Sequence, residues 1–139
     1  MSANACSEFI LANAPRILAT VLRELRKSDV DVAVSCLGCV SSLSRRNNGV
    51  QWSLYQLKVP ELLVSIMDRF SNDNVTYSSL KAVIALCVES DDAIPLEFIR
   101  LGLLDNLQHR LPEFQNNKEL LEVCMEVTRL LKACDDRGW

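Results

Sequence analysis

Apolar positions along this chain recur at a spacing longer than any single helix. LANAPRILATVLREL (residues 11–25), QLKVPELLVSIMDRF (56–70) and RLGLLDNLQHRLPEF (100–114) align at shifts of 45 and then 44 residues. Three wholly apolar columns result: Leu18/Leu63/Leu107, Leu22/Met67/Leu111 and Leu25/Phe70/Phe114. A second set, VSCLGCVSSL (34–43), YSSLKAVIAL (77–86) and LEVCMEVTRL (121–130), aligns at shifts of 43 and 44. It adds Leu37/Leu80/Cys124, Val40/Val83/Val127 and Leu43/Leu86/Leu130. A shorter block pairs NGVQWSLYQLKV (48–59) with DAIPLEFIRLGL (92–103), and Glu8-Phe9-Ile10 returns as Glu97-Phe98-Ile99. Self-similarity at a fixed period of this length is the mark of a stacked-repeat chain.

Within each unit the spacing predicts one short and two longer helices. The short ones cover residues 49–57 and 93–101, with 8–12 as an N-terminal remnant. Second helices are expected over 15–27, 60–70 and 104–114, and long third helices over 30–44, 75–88 and 118–133. Pro15 and Pro60 suit first helical turns, where a missing N–H costs nothing. Pro112 falls near the end of its helix and is expected to kink or shorten it. Ser28-Asp29, Asn72-Asp73-Asn74 and Asn116-Asn117 precede the long helices and supply capping chemistry.

The joint FIRLGLLDNL (98–107), with Gly102 at the sharp turn, resembles the corner between the first and second helices of an armadillo repeat. Glycine suits that corner because it accepts a positive φ. Asn13 and Lys58 hold the equivalent places, Lys58 being a departure. The resemblance covers about residues 8–134, in units of about 8–46, 47–90 and 91–134 of a single 139-residue domain. It implies an all-α fold: a right-handed superhelical solenoid of about three armadillo- or HEAT-like repeats. HEAT repeats, with two helices per unit, are the close structural alternative.

The resemblance also implies that the third helices line a concave, ligand-holding face. In nuclear import adaptors a ladder of Trp and Asn on that face holds extended peptides. Here the Trp-like places carry Gly38, Lys81 and Met125, and the Asn-like places Ser42, Ala85 and Arg129. Without the ladder a different ligand is expected. Arg45, Arg46, Lys81, Arg129 and Lys132 on or beside the face favour an acidic or amphipathic protein segment, with Tyr77 and Ile84 as an apolar anchor. The contrasting expectation is a solvated, slightly basic helix surface.

Composition narrows the function classes. Lys plus Arg total 15 against 18 Asp plus Glu, a net charge of −3 that disfavours a nucleic-acid binder. No stretch approaches the ~18 apolar residues that suggest a membrane span, and residues 1–7 do not read as a secretory signal. A cytoplasmic or nuclear location is therefore expected, with six cysteines held as thiols. Cys36-x-x-Cys39 lacks a second pair for zinc, so both are expected as small packing residues. His109 is the only histidine, and no nucleophile elbow, phosphate loop or H-E-x-x-H is present. The expectation is a non-catalytic interaction module without cofactor or metal. The alternative is self-association through the end repeats, to a homodimer or filament. Leu120, Leu121, Val123, Val127, Leu130 and Leu131 exceed one narrow stripe. They point to an associating C-terminal face unless the tail with Trp139 covers them.

Overall fold

The computed structural model describes residues 3–137, with side chains described from residue 13. The described residues form eight α-helices, one 3-10 turn and no strands: α1 (Ala3–Glu24), α2 (Val30–Ser44), α3 (Asn48–Gln56), α4 (Val59–Arg69), α5 (Asp73–Cys87), α6 (Ala93–Arg100), α7 (Leu103–Arg110), the 3-10 turn Leu111–Phe114, and α8 (Lys118–Asp135). No helix among them is long and apolar enough to cross a membrane.

The long helices pack in sequence, α2 against α5 and α5 against α8, with α1, α4 and α7 packed on their flanks. Most residues of the aligned columns are buried in the core, while Leu18, Leu43, Leu111 and Leu130 are half-buried. Leu37, Leu80 and Cys124 are wholly buried, as are Val40, Val83 and Val127 to within a per cent of exposure. Leu25, Phe70 and Phe114 are buried as well. Each aliphatic or aromatic side chain so covered contributes about 1.5–3 kcal/mol. Several hydrogen bonds join residues at the same sequence separation. Arg69 Nη1 donates to the Leu25 carbonyl at 3.1 Å and Arg110 Nη1 to that of Met67 at 3.3 Å. Asn117 Nδ2 donates to Asp73 Oδ2 at 3.2 Å, and Arg137 to Asp92 Oδ1 at 3.0 Å. Partners in these four bonds lie 43 to 45 residues apart.

Helix ends follow local chemistry. Asn47, Asn72 and Asn117 cap α3, α5 and α8, each side chain accepting from backbone N–H groups of the first turn at 2.9–3.1 Å. Asp29 departs from the expected cap: its carboxylate accepts from the backward Arg26 N–H at 2.8 Å, leaving α2 without a side-chain cap. Lys58 and Gly102 both adopt the left-handed conformation, at φ 68° and 81°, and turn the chain from α3 into α4 and from α6 into α7. Arg46 and Glu89 form a second left-handed pair after α2 and α5. Pro112 ends α7 as expected, the chain tightening into the 3-10 turn.

The start of the chain differs from expectation. Residues 8–12 and the helix expected from Pro15 are one continuous helix, with Pro15 inside it. Asn13 lies within α1 instead of turning a corner. Pro15 is buried, and the apolar row Ala19, Leu22 and Leu25 follows it on the core side. That contact holds the helix across a position where one i→i−4 bond is missing. Trp52, placed in an apolar column by the alignment, is 41% exposed and stacks on Tyr55 at 5.0 Å between centroids. On α8 the apolar excess is largely absorbed: Leu120, Val123, Val127 and Leu131 are buried, while Leu121 and Leu130 are half-buried. Trp139 and the side chains of Phe9, Ile10 and Leu11 lie outside the described residues.

Candidate functional site

The residues singled out in the sequence divide between two grooves. Arg45, Lys81, Ile84 and Ala85 come together in a groove of about 240 Å³ between the C-terminal ends of α2 and α5, joined by Arg46 and Val88. Met125 and Arg129 line a larger groove, of about 620 Å³, between α7 and α8. Gly38 and Ser42 are exposed on α2 and line neither groove. Tyr77 stands one turn before Lys81, half-buried, with the Lys81 ammonium 6.0 Å from its ring centroid. Ala85 is buried, so it offers the groove floor rather than a reaching side chain.

The first groove is shaped by chain reversals. Helix α2 stops at Ser44, and the left-handed Arg46 turns the chain towards Asn47, which caps α3. Arg45 and Arg46 are thereby left exposed side by side at the end of α2. Across from them α5 ends, and its last carbonyls need donors. The buried Gln51 of α3 supplies them, its Nε2 donating to the Ala85 and Val88 carbonyls at 3.0 and 3.1 Å. The result is a small apolar floor of Ile84, Ala85 and Val88 rimmed by Arg45, Arg46 and Lys81. Such a surface complements a ligand with carboxylates flanking an apolar side chain.

Sequence reading misses Gln51 and Val88. The periodicity places Val88 in the last turn of a helix, whereas it is the extended C-cap of α5 and exposed. It also misses the contribution of α7 and the 3-10 turn to the second groove, through Leu107 and Leu111. The alignment identifies those two only as core columns, and Leu111 is half-buried rather than enclosed.

The cysteines require one correction. Cys36 is buried and points its thiol at the Leu18 carbonyl, 3.7 Å away, but Cys39 is exposed. The equivalent of Cys39 on α5 is Ala82, which is buried because α5 has a long helix on each side; α2 has one on a single side. Burial pushes the Cys36 thiol up to about 11, with the neighbouring Cys39 adding to the rise. Burial likewise raises the Cys87 thiol, followed by the effect of nearby Cys134. Glu97 on α6 is held below the usual carboxylate range, first by the hydrogen bond from Arg100, at 2.9 Å. No group of three or more His, Cys, Asp or Glu side chains among the described residues is placed to hold a metal ion. No protein-family model, curated protein or solved structure matches the chain.

Proposed function

We propose that the chain is a right-handed solenoid of about three armadillo-like units, acting as a non-catalytic protein-interaction module. Its ligand is an acidic, amphipathic segment of a partner protein, held on the concave side formed by α2, α5 and α8. The repeat reading is supported by the hydrogen bonds between equivalent units and by the two pairs of left-handed joints. The ligand reading is carried by one observation: three cationic side chains, Arg45, Arg46 and Lys81, rim an apolar floor. Its site of action is the cytosol or nucleus, where free thiols persist.

Titration with a labelled acidic amphipathic peptide tests the ligand. Arg45→Glu combined with Lys81→Glu weakens binding by roughly tenfold or more, as expected when complementary charges become repulsive. Both residues are exposed, so unfolding free energy moves by no more than about 0.5 kcal/mol per site. Unchanged affinity in the double variant overturns the assignment of this groove.

A further inference from the structure

We propose that copies of this chain associate head to tail, the first unit of one copy docking against the α7–α8 groove of the next. The proposal rests on the repeat reading but not on the acidic-ligand groove, so the two fail separately.

The two internal junctions show what such a contact requires. At each, an arginine in the last turn of a second helix crosses to a carbonyl near the end of the preceding second helix: Arg69 to Leu25 and Arg110 to Met67. Each guanidinium also lies near a phenylalanine ring of its own unit, Arg69 at 6.0 Å from Phe70 and Arg110 at 5.3 Å from Phe114. Helix α1 also carries an arginine in its last turn, one residue before its end, although Glu24 is the residue aligned with Arg69. Arg23 sits in its last turn, exposed, with no hydrogen-bond partner among the described residues. The first unit therefore offers a free guanidinium near the place where the later units carry their junction donors.

Apolar surface is placed to match. Ile17 on α1 is 59% exposed and Val32 on α2 is 50% exposed. Their equivalents one unit on are covered, Leu62 partly and Val75 completely. At the other end, Leu111 is half-buried and lines the α7–α8 groove beside Met125, which is 60% exposed. The equivalent of Leu111 one unit back, Met67, is buried within the fold. Ile17, Val32 and Leu111 thus leave open apolar positions that an internal junction covers, whereas Met125, whose equivalent Lys81 is exposed, adds apolar surface peculiar to the last unit.

Charge favours the same pairing. Residues 8–46 hold six Lys and Arg against four Asp and Glu, a net of +2, while residues 91–134 hold five against eight, a net of −3. Like ends repel and unlike ends attract. This attraction acts between the units as wholes: the groove itself carries Arg129 and Lys132 against Asp136, so the contact within it is apolar rather than ionic. A contact between two different surfaces leaves one of each free on every dimer, so growth continues beyond two copies.

Sedimentation velocity across micromolar to near-millimolar concentrations tests this with two capped variants. Ile17→Asp with Arg23→Glu disables the first face, and Met125→Asp disables the groove. All three sites are exposed, and helicity by circular dichroism establishes that each variant folds. Should Met125→Asp fail that check, Ala133→Asp on the same groove replaces it. The wild type is expected to grow past dimer as concentration rises. Each variant alone associates roughly tenfold or more weakly, the loss expected on removing a packed anchor. Mixed in equal amounts, the variants form a one-to-one complex and nothing larger, because only one pair of intact faces remains. A wild type that is monomeric throughout overturns the proposal. So does a first-face variant that still dimerises alone, which would indicate a symmetric groove-to-groove contact.

Discussion

Cys36 and Cys39 lie three residues apart and differ in access, so their chemistry separates. Cys39 is expected to react with a thiol reagent in the folded protein at the rate of an exposed thiol, and Cys36 only as the domain opens. Mass spectrometry of peptides after timed alkylation reads both, and equal rates would contradict the burial of Cys36. The raised Cys36 value also fixes a pH dependence. Folding favours the protonated thiol, so this contribution to stability is complete below the ordinary value of 9.0 and is lost as pH rises towards about 11. Lys58 offers a second test at this scale. Its φ of 68° costs a non-glycine residue about 1–2 kcal/mol. Glycine would relieve that strain, and its greater freedom in the unfolded chain offsets part of the relief. Lys58→Gly is therefore expected to stabilise by about 0.5–1 kcal/mol, measured by urea unfolding. Destabilisation would mean that the lysine side chain holds the corner in some other way.

Helix by helix, legibility follows the strength of local signals. The helix expected over residues 30–44 is α2 to the residue, because Asp29 and the turn at Arg45 and Arg46 bound a continuous apolar rhythm. The 3-10 turn after Arg110 is foreshadowed by Pro112, whose missing N–H and ring disfavour carrying the α-helix onward. Pro15 misleads for the same reason: a buried packing position overrides a local rule that reads proline as a start. At the candidate site the cations Arg45, Arg46 and Lys81 are legible from the repeat. Gln51 is not, because its role depends on carbonyls more than thirty residues away. The caps give a direct comparison between elements. Asn72→Ala removes an acceptor from two N–H groups of α5 and is expected to cost about 1 kcal/mol. A side-chain cap of that kind is missing at α2, where Asp29 binds backwards to Arg26, so Asp29→Ala acts on the preceding turn instead. Chemical denaturation of the two variants, with amide protection in α5 and α2 followed by hydrogen exchange, locates each loss.

Across the described residues of the whole molecule, α5 is the one of the three helices α2, α5 and α8 that packs between the other two. Its amides, above all those of residues 80–86, are expected to exchange most slowly, with protection falling towards α1 and α8. Slower exchange in α8 than in α5 would show that the last unit is sealed more firmly than its open groove suggests. The hydrogen bonds that join residues 43 to 45 apart carry a kinetic consequence. Substantial packing links only neighbouring units, so no major step in folding has to bring the two ends of the chain together. Each junction closes a loop of about one unit, and closing a loop of twice that length would cost only about 0.6 kcal/mol more. On the proposed repeat reading, folding begins at either junction and spreads to the remaining unit. A further unit would add a starting point without lengthening the loop that sets the barrier.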